Sequence, residues 1–294
     1  MRLVNRSCAL VLALLFVLPS FVPAARADES LPRETQEHLV AAHAKWGVIE
    51  VILDELFHPD FRGPDHFRAA LSYLCRHVST IAAPALNRWV IRPERHYLGR
   101  EFEAALDRVH SRLEGFDTGI GFCNSPDTAV WQQGADKFHA LIKEGTAEAK
   151  AIFRKIPQPR IAMSADLQRE VIRDELEIIH AFLANQDEGH RWTPPAAAGA
   201  ACPTPGEMKR VAMQHAQVIH ITLAMLEYVL ANRAALPREV QAGLTGLHAK
   251  LTREKATSLR VIGQGSFDWQ KMHDTFHQVF ERADREVEGI RMAW

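Results

Sequence analysis

Apolar residues recur at three- and four-residue intervals along almost the whole chain, and the strict alternation that marks a half-buried strand is missing. The pattern predicts helices at 32–57, 65–83, 97–114, 126–153, 165–185, 205–232, 237–262 and 267–290, and so an all-α protein. Several starts carry their own punctuation. Thr204-Pro205-Gly206-Glu207 offers a capping hydroxyl, a proline for the first turn and a glutamate three residues on, and Ser125-Pro126-Asp127 is a simpler version. Ser164 and Ser266 stand where a cap would accept the free amides of the helices that follow. Between the helices, the proline-rich stretch from Trp192 to Pro205 cannot continue a helix, and 157–160 and 117–126 are further breaks.

A second pattern overlies the first. Residues 38–50, HLVAAHAKWGVIE, and 215–227, HAQVIHITLAMLE, share His, four residues, His, six residues, Glu. Phe102–Phe116 aligns with Phe276–Ile290 at an offset of 174, and Leu71 and Leu74 stand opposite Leu244 and Leu247 at 173, against 177 for the opening pair. Small drifts of this kind fall in loops, where insertions cost little. The expectation is a duplicated three-helix unit, 31–116 and 205–294, packed as antiparallel helical bundles in two fused halves. The boundaries are 28–156 for the N-terminal half, 157–191 for a connecting helix, 192–204 for a Pro/Ala linker and 205–294 for the C-terminal half.

The first residues read differently. Arg2 and Arg6 precede an apolar run from Cys8 to Val17, then come Pro19, Pro23 and Ala25-Arg26-Ala27, the order of a cleavable secretory signal. A spanning helix needs about 20 apolar residues, so the prediction is a signal peptide over 1–27, cleavage near Ala27, and a mature chain in the periplasm or outside the cell with no integral membrane segment. Losing Arg2, Arg6 and Arg26 lowers the basic residues from 35 to 32 against 36 acidic ones, a net charge of −4. That balance gives no electrostatic ground for a nucleic-acid partner. The mature chain keeps Cys75, Cys123 and Cys202. Cys123 and Cys202 lie in loop-like stretches and are expected to form a disulfide, with Cys75 inside a helix as a core residue. The spacing contains no CxxC redox pair and no covalent haem attachment motif.

The histidines are the remaining chemistry. His38 and His43 are five residues apart, about 140° around a helix, and His43 and Glu50 lie about 10 Å apart along its axis, so neither repeat copy closes on one ion by itself. A metal centre inside a bundle draws one ligand, or a Glu-x-x-His pair, from each helix. Glu177 to His180 is taken as the Glu form of that pair, with aspartate versions at Asp107 to His110, Asp136 to His139 and Asp274 to His277. His273 and His277, i and i+4 on one face with Glu281 a turn further, are the best local set for a transition metal such as copper, iron or zinc, with His215 and His220 from a neighbouring helix. The glutamate that a metallopeptidase places directly after the first histidine is absent. There is no GxSxG, P-loop or GxGxxG, and Asp117-Thr118-Gly119 reads as an interhelical loop. The leading expectation is therefore an exported binding or accessory module, for a protein or small ligand, with no evident catalytic site. The alternative is a periplasmic transition-metal-binding protein.

Overall fold

The computed structural model describes residues 31–56, 58, 82–114, 128–191, 205–232, 236–264 and 269–293; side chains are described within these except at 113–114, 128–132, 134–136, 138–139, 185–191, 205–214, 232, 261–264 and 269–273. The expected signal peptide, most of the helix expected at 65–83, Cys75, Cys123, Cys202, the expected linker at 192–204 and the side chain of His273 lie outside these residues. Every regular element described is helical, with no strand among the described residues, so the chain is all-α. No helix among them is long and apolar enough to cross a membrane.

The elements are α1 (Arg33–Glu55), α2 (Ala83–Ala85), a π-helical stretch (Leu86–Ile91), α3 (Arg92–Leu98), α4 (Arg100–Glu114), α5 (Thr128–Phe153), α6 (Ala165–Arg191), α7 (Pro205–Asn232), α8 (Arg238–Gln264) and α9 (Trp269–Ala293). Most predicted helices recur within a few residues of their expected ends, α6 running six residues further. The exception is 84–96, where no helix was expected and which carries Pro84 and Pro93. Both prolines fall in the first turn of their helices, where a missing N–H costs nothing, and the wider π turn feeds the second one: the Arg92 N–H reaches back five residues to the Asn87 carbonyl. Gly99 at φ 80° then ends α3 in a backbone conformation that side chains resist, and α4 begins.

α1 lies at the centre. From Ala41 to Ile49 every residue but His43 is buried, so this stretch of the helix has no solvent face to match its apolar one. Trp46, Ile49 and Leu53 are buried as their spacing predicts, and the Trp46 ring stacks on Phe153 of α5 at 4.5 Å. α1 also packs against α3, α6 and α7. Ser164 Oγ accepts the Leu167 N–H at the start of α6, the expected cap, while Glu37 of α1 accepts the Ser164 N–H at 3.1 Å. In the C-terminal part, α6 meets α7, α7 meets α8, α8 meets α9, and α9 returns to α6. Side-chain pairs give the directions: Glu227 with His248 and His220 with Lys255 run α7 against α8, and Lys250 with Glu286 pairs α8 with α9. One apolar cluster runs through all of this, from Leu39 of α1 to Val287 of α9.

Candidate functional site

The end of α1 is fixed by its contact with α7. At Gly47 the ring of Tyr228 lies directly on the α1 backbone: a Cβ there would sit 1.9 Å from the Tyr228 hydroxyl, so only glycine admits this approach. The same hydroxyl donates to the Ala44 carbonyl at 3.2 Å. Two turns on, α1 runs out of intrahelical partners for its last carbonyls, and the buried Gln217 of α7 donates to the Leu56 carbonyl at 3.2 Å. The chain closes a tight turn there, with the His58 N–H on the Glu55 carbonyl at 3.2 Å. That turn brings the His58 side chain back beside Glu55. One turn along α7 from Gln217, His220 faces both of them.

Glu55, His58 and His220 therefore converge, each half-buried, with one potential ligand atom apiece all within 4.8 Å of one another. The His58 and His220 rings meet edge to face with centroids 4.5 Å apart. His220 Nε2 lies 2.7 Å from Glu55 Oε2, and Lys255 Nζ of α8 lies 2.8 Å from His220 Nδ1. A lysine ammonium only donates, so Nδ1 is an acceptor and the ring proton sits on Nε2, donated to the carboxylate. Burial, reinforced by the nearby Lys255 charge, holds His220 below the ordinary histidine value although Glu55 pulls the other way. A neutral imidazole is the form that binds a metal.

Among the described residues this is the one group of three histidines, cysteines or carboxylates gathered in this way. Of the expected ligand set it contains His220; the side chain of His273 lies outside the described residues. His215 is fully buried against the rings of Phe276 and Phe280, Glu281 is about half exposed with Arg285 as its ionic neighbour, and His277 is not gathered with His220. Glu177 and His180 also turn to separate partners on α9, Arg291 at 2.9 Å and Asp284 at 2.6 Å. The expectation overlooked that Glu55-Leu-Phe-His58 is a second Glu-x-x-His. A complete scan for that spacing would have found it; the convergence with His220 needed the fold.

The other half of the repeated pattern is tied up differently. His43 donates from Nε2 to the Ile156 carbonyl at 3.2 Å, and burial holds it below the ordinary histidine value. Glu50 pairs with Lys150 at 3.2 Å, whereas Glu227 accepts from His248. His38 donates to Glu94 Oε2 at 2.7 Å with its ring stacked on Tyr97. Glu94 in turn meets Lys45, which has no solvent exposure and bonds Glu94 at 3.0 Å and Asp174 at 2.7 Å. Burial alone would push the Lys45 ammonium down, yet the two carboxylates together hold it above the usual lysine range. One lysine cannot fully offset two carboxylates, and burial pushes Asp174 up despite it. This second network joins α1, α3 and α6, and no sequence pattern pointed to it.

Set against protein-family models, curated proteins and solved structures, the chain matches none of them.

Proposed function

We propose that this chain is an exported metal-binding protein that takes one divalent transition-metal ion, such as zinc, iron or copper, at Glu55, His58 and His220. The observation that carries the reading is the convergence of two imidazoles and a carboxylate, supplied by the end of α1 and by α7, within 4.8 Å. With metal–ligand bonds of about 2.1 Å, donor atoms stand roughly 3–3.5 Å apart, so side-chain adjustments of about 1 Å close this set on an ion. Two nitrogens and one oxygen suit borderline divalent ions, and three protein ligands leave positions for water or a small molecule. The reading keeps the metal-binding alternative of the sequence and moves its ligands. Export would follow from the 1–27 signal with cleavage near Ala27, and a Cys123–Cys202 disulfide would form in the same compartment. We further read α6 to α9 as an antiparallel four-helix bundle, supported by the ring of neighbours and their alternating directions, and α1 and α7 as descendants of one duplicated helix.

Elemental analysis and zinc titration of the tag-free protein test the site. One equivalent should bind, and the pair of substitutions Glu55→Gln and His220→Ala should abolish it. Unchanged stoichiometry in that variant would sink the assignment.

A second reading, a binding module for an apolar ligand, draws on the groove of about 650 Å³ between α8 and α9, lined by Val240, Gly243, Leu247, Gly289 and Ile290 among others. It predicts a protein that binds no metal and whose melting temperature rises with a small apolar ligand.

A further inference from the structure

Lys255 is a cation bonded to one of the proposed metal ligands. Its Nζ lies 2.8 Å from His220 Nδ1, while His220 Nε2 is 2.7 Å from Glu55 Oε2. This places a positive charge on the far side of the same imidazole that would hold a metal. We propose that Lys255 is a tethered internal cation that a divalent metal must displace, so that metal occupancy and the Lys255–His220 bond exclude each other. The inference rests on the metal reading of Glu55, His58 and His220.

The exclusion holds whichever ring nitrogen the metal uses. If the ion binds Nε2, the ring proton moves to Nδ1, and an N–H cannot accept from an ammonium. If the ion binds Nδ1, it takes the position of the lysine directly. In both cases the neutral ring keeps one proton, and Lys255 has to leave. A metal-ligating histidine ordinarily gives its second nitrogen to an acceptor that strengthens it as a ligand. Here a donor occupies that place, and its charge also opposes a dication a few ångströms away. The arrangement has two effects. Without metal, Glu55 and Lys255 hold the two ring nitrogens of His220, which ties the end of α1 to α7 and α7 to α8. With metal, an ammonium on α8 is released to solvent, so occupancy is signalled on a helix that supplies no ligand. Lysine on its flexible stem, unlike a fixed dipole, can make that exchange by rotation about its own side-chain bonds.

The experiment uses the full mature chain and three proteins: the unaltered sequence, Lys255→Met, and Lys255→Met combined with His220→Ala. Affinity for zinc is measured by competition with a chromophoric chelator, and cobalt supplies an absorption spectrum of the bound ion. Lys255→Met should bind at least about tenfold more tightly, since both the competitor and the repulsion are gone, and the combined variant should lose the site. Lys255→Gln, which keeps a polar end, provides a second neutral variant should the methionine fold poorly. Independently, acylation of Lys255 by an amine-directed reagent, followed by mass spectrometry, should accelerate when zinc is added to the unaltered protein. Equal zinc affinity with and without Lys255, or acylation that zinc leaves unchanged, overturns the exclusion while leaving the metal site standing. Absence of binding in every protein overturns the metal reading itself, and this inference with it.

Discussion

Replacing Lys45 by Met separates the energetics of the inner network from its packing. The methionine stem occupies nearly the volume of the lysine, so the change removes a charge and little else. Left behind is Glu94, with 1% of its side chain exposed, still held by His38 at 2.7 Å but without its Lys45 bond at 3.0 Å. Asp174 is 21% exposed and can turn toward water. Breaking a buried pair by removing one partner costs about 3–5 kcal/mol, because the survivor stays desolvated. A stranded carboxylate can escape by taking a proton, which at pH 7 costs a group of ordinary acidity about 3–4 kcal/mol. The two bounds overlap, and the expectation is a loss of about 3–4 kcal/mol, or roughly 10 °C in melting temperature for a chain of this size. Urea unfolding followed by circular dichroism gives the first number and calorimetry the second. Adding Glu94→Gln should restore at least half of the loss, since a neutral amide of the same shape no longer needs the ammonium. A loss below about 1 kcal/mol, or no recovery with Glu94→Gln, would refute the assignment of Lys45 and Glu94 as one buried electrostatic unit.

Gly47→Ala should destabilise the protein by about 1–2 kcal/mol in urea unfolding, overpacking against Tyr228 outweighing the helix-propensity gain of alanine; in a Tyr228→Ser background the penalty should vanish, and a persistent penalty would locate the strain elsewhere. Gln217→Leu leaves the Leu56 carbonyl without its donor and should cost about 1–2 kcal/mol by the same assay, together with weaker zinc binding as the end of α1 loosens; undiminished zinc affinity would separate the cap from the site. His43 has a folded value below the ordinary 6.5, so its stabilising effect is complete above 6.5 and is lost as pH falls through the lower folded value. Stability of the unaltered protein should therefore drop on acidification below 6.5, and His43→Gln should flatten that slope; parallel pH profiles for the two proteins would exclude His43 as a source.

Long periodic helices were legible because periodicity is a local property. The prediction of 205–232 coincides with α7, and α1, α5, α8 and α9 differ from theirs by a few residues at their ends. The stretch 84–96 was not legible: only the fold shows Pro84 and Pro93 each at a first turn with a π turn between them. The central position of α1 was half legible. Its apolar stripe was plain, but Lys45 amid AAHAKWGVIEVIL looks like a surface residue unless two carboxylates 49 and 129 positions away are known to meet it. The cluster at Glu55 was hidden for a similar reason. His273 and His277 share a helix face and so stood out, whereas Glu55 and His58 straddle a helix end, and their third partner lies 165 residues from Glu55 on another element.

The two polar constellations on α1 differ in a way that bears on their roles. Around Lys45, the ammonium bonds two carboxylates, and two members, Lys45 and Glu94, have almost no exposure. An ion or ligand could enter only by dismantling contacts between three helices, and a network of that kind sets how α1, α3 and α6 fit together. At the end of α1, His220 bonds the Glu55 carboxylate through one ring nitrogen and the Lys255 ammonium through the other. Glu55, His58 and His220 are each half-buried, and on the metal reading Lys255 would exchange its bond for water. Exchange of partners costs least where solvent can reach the groups that are given up. The same helix therefore carries a fixed electrostatic joint in its middle and a more accessible one at its end, and the end is where the proposed ion would be taken up without disturbing the core.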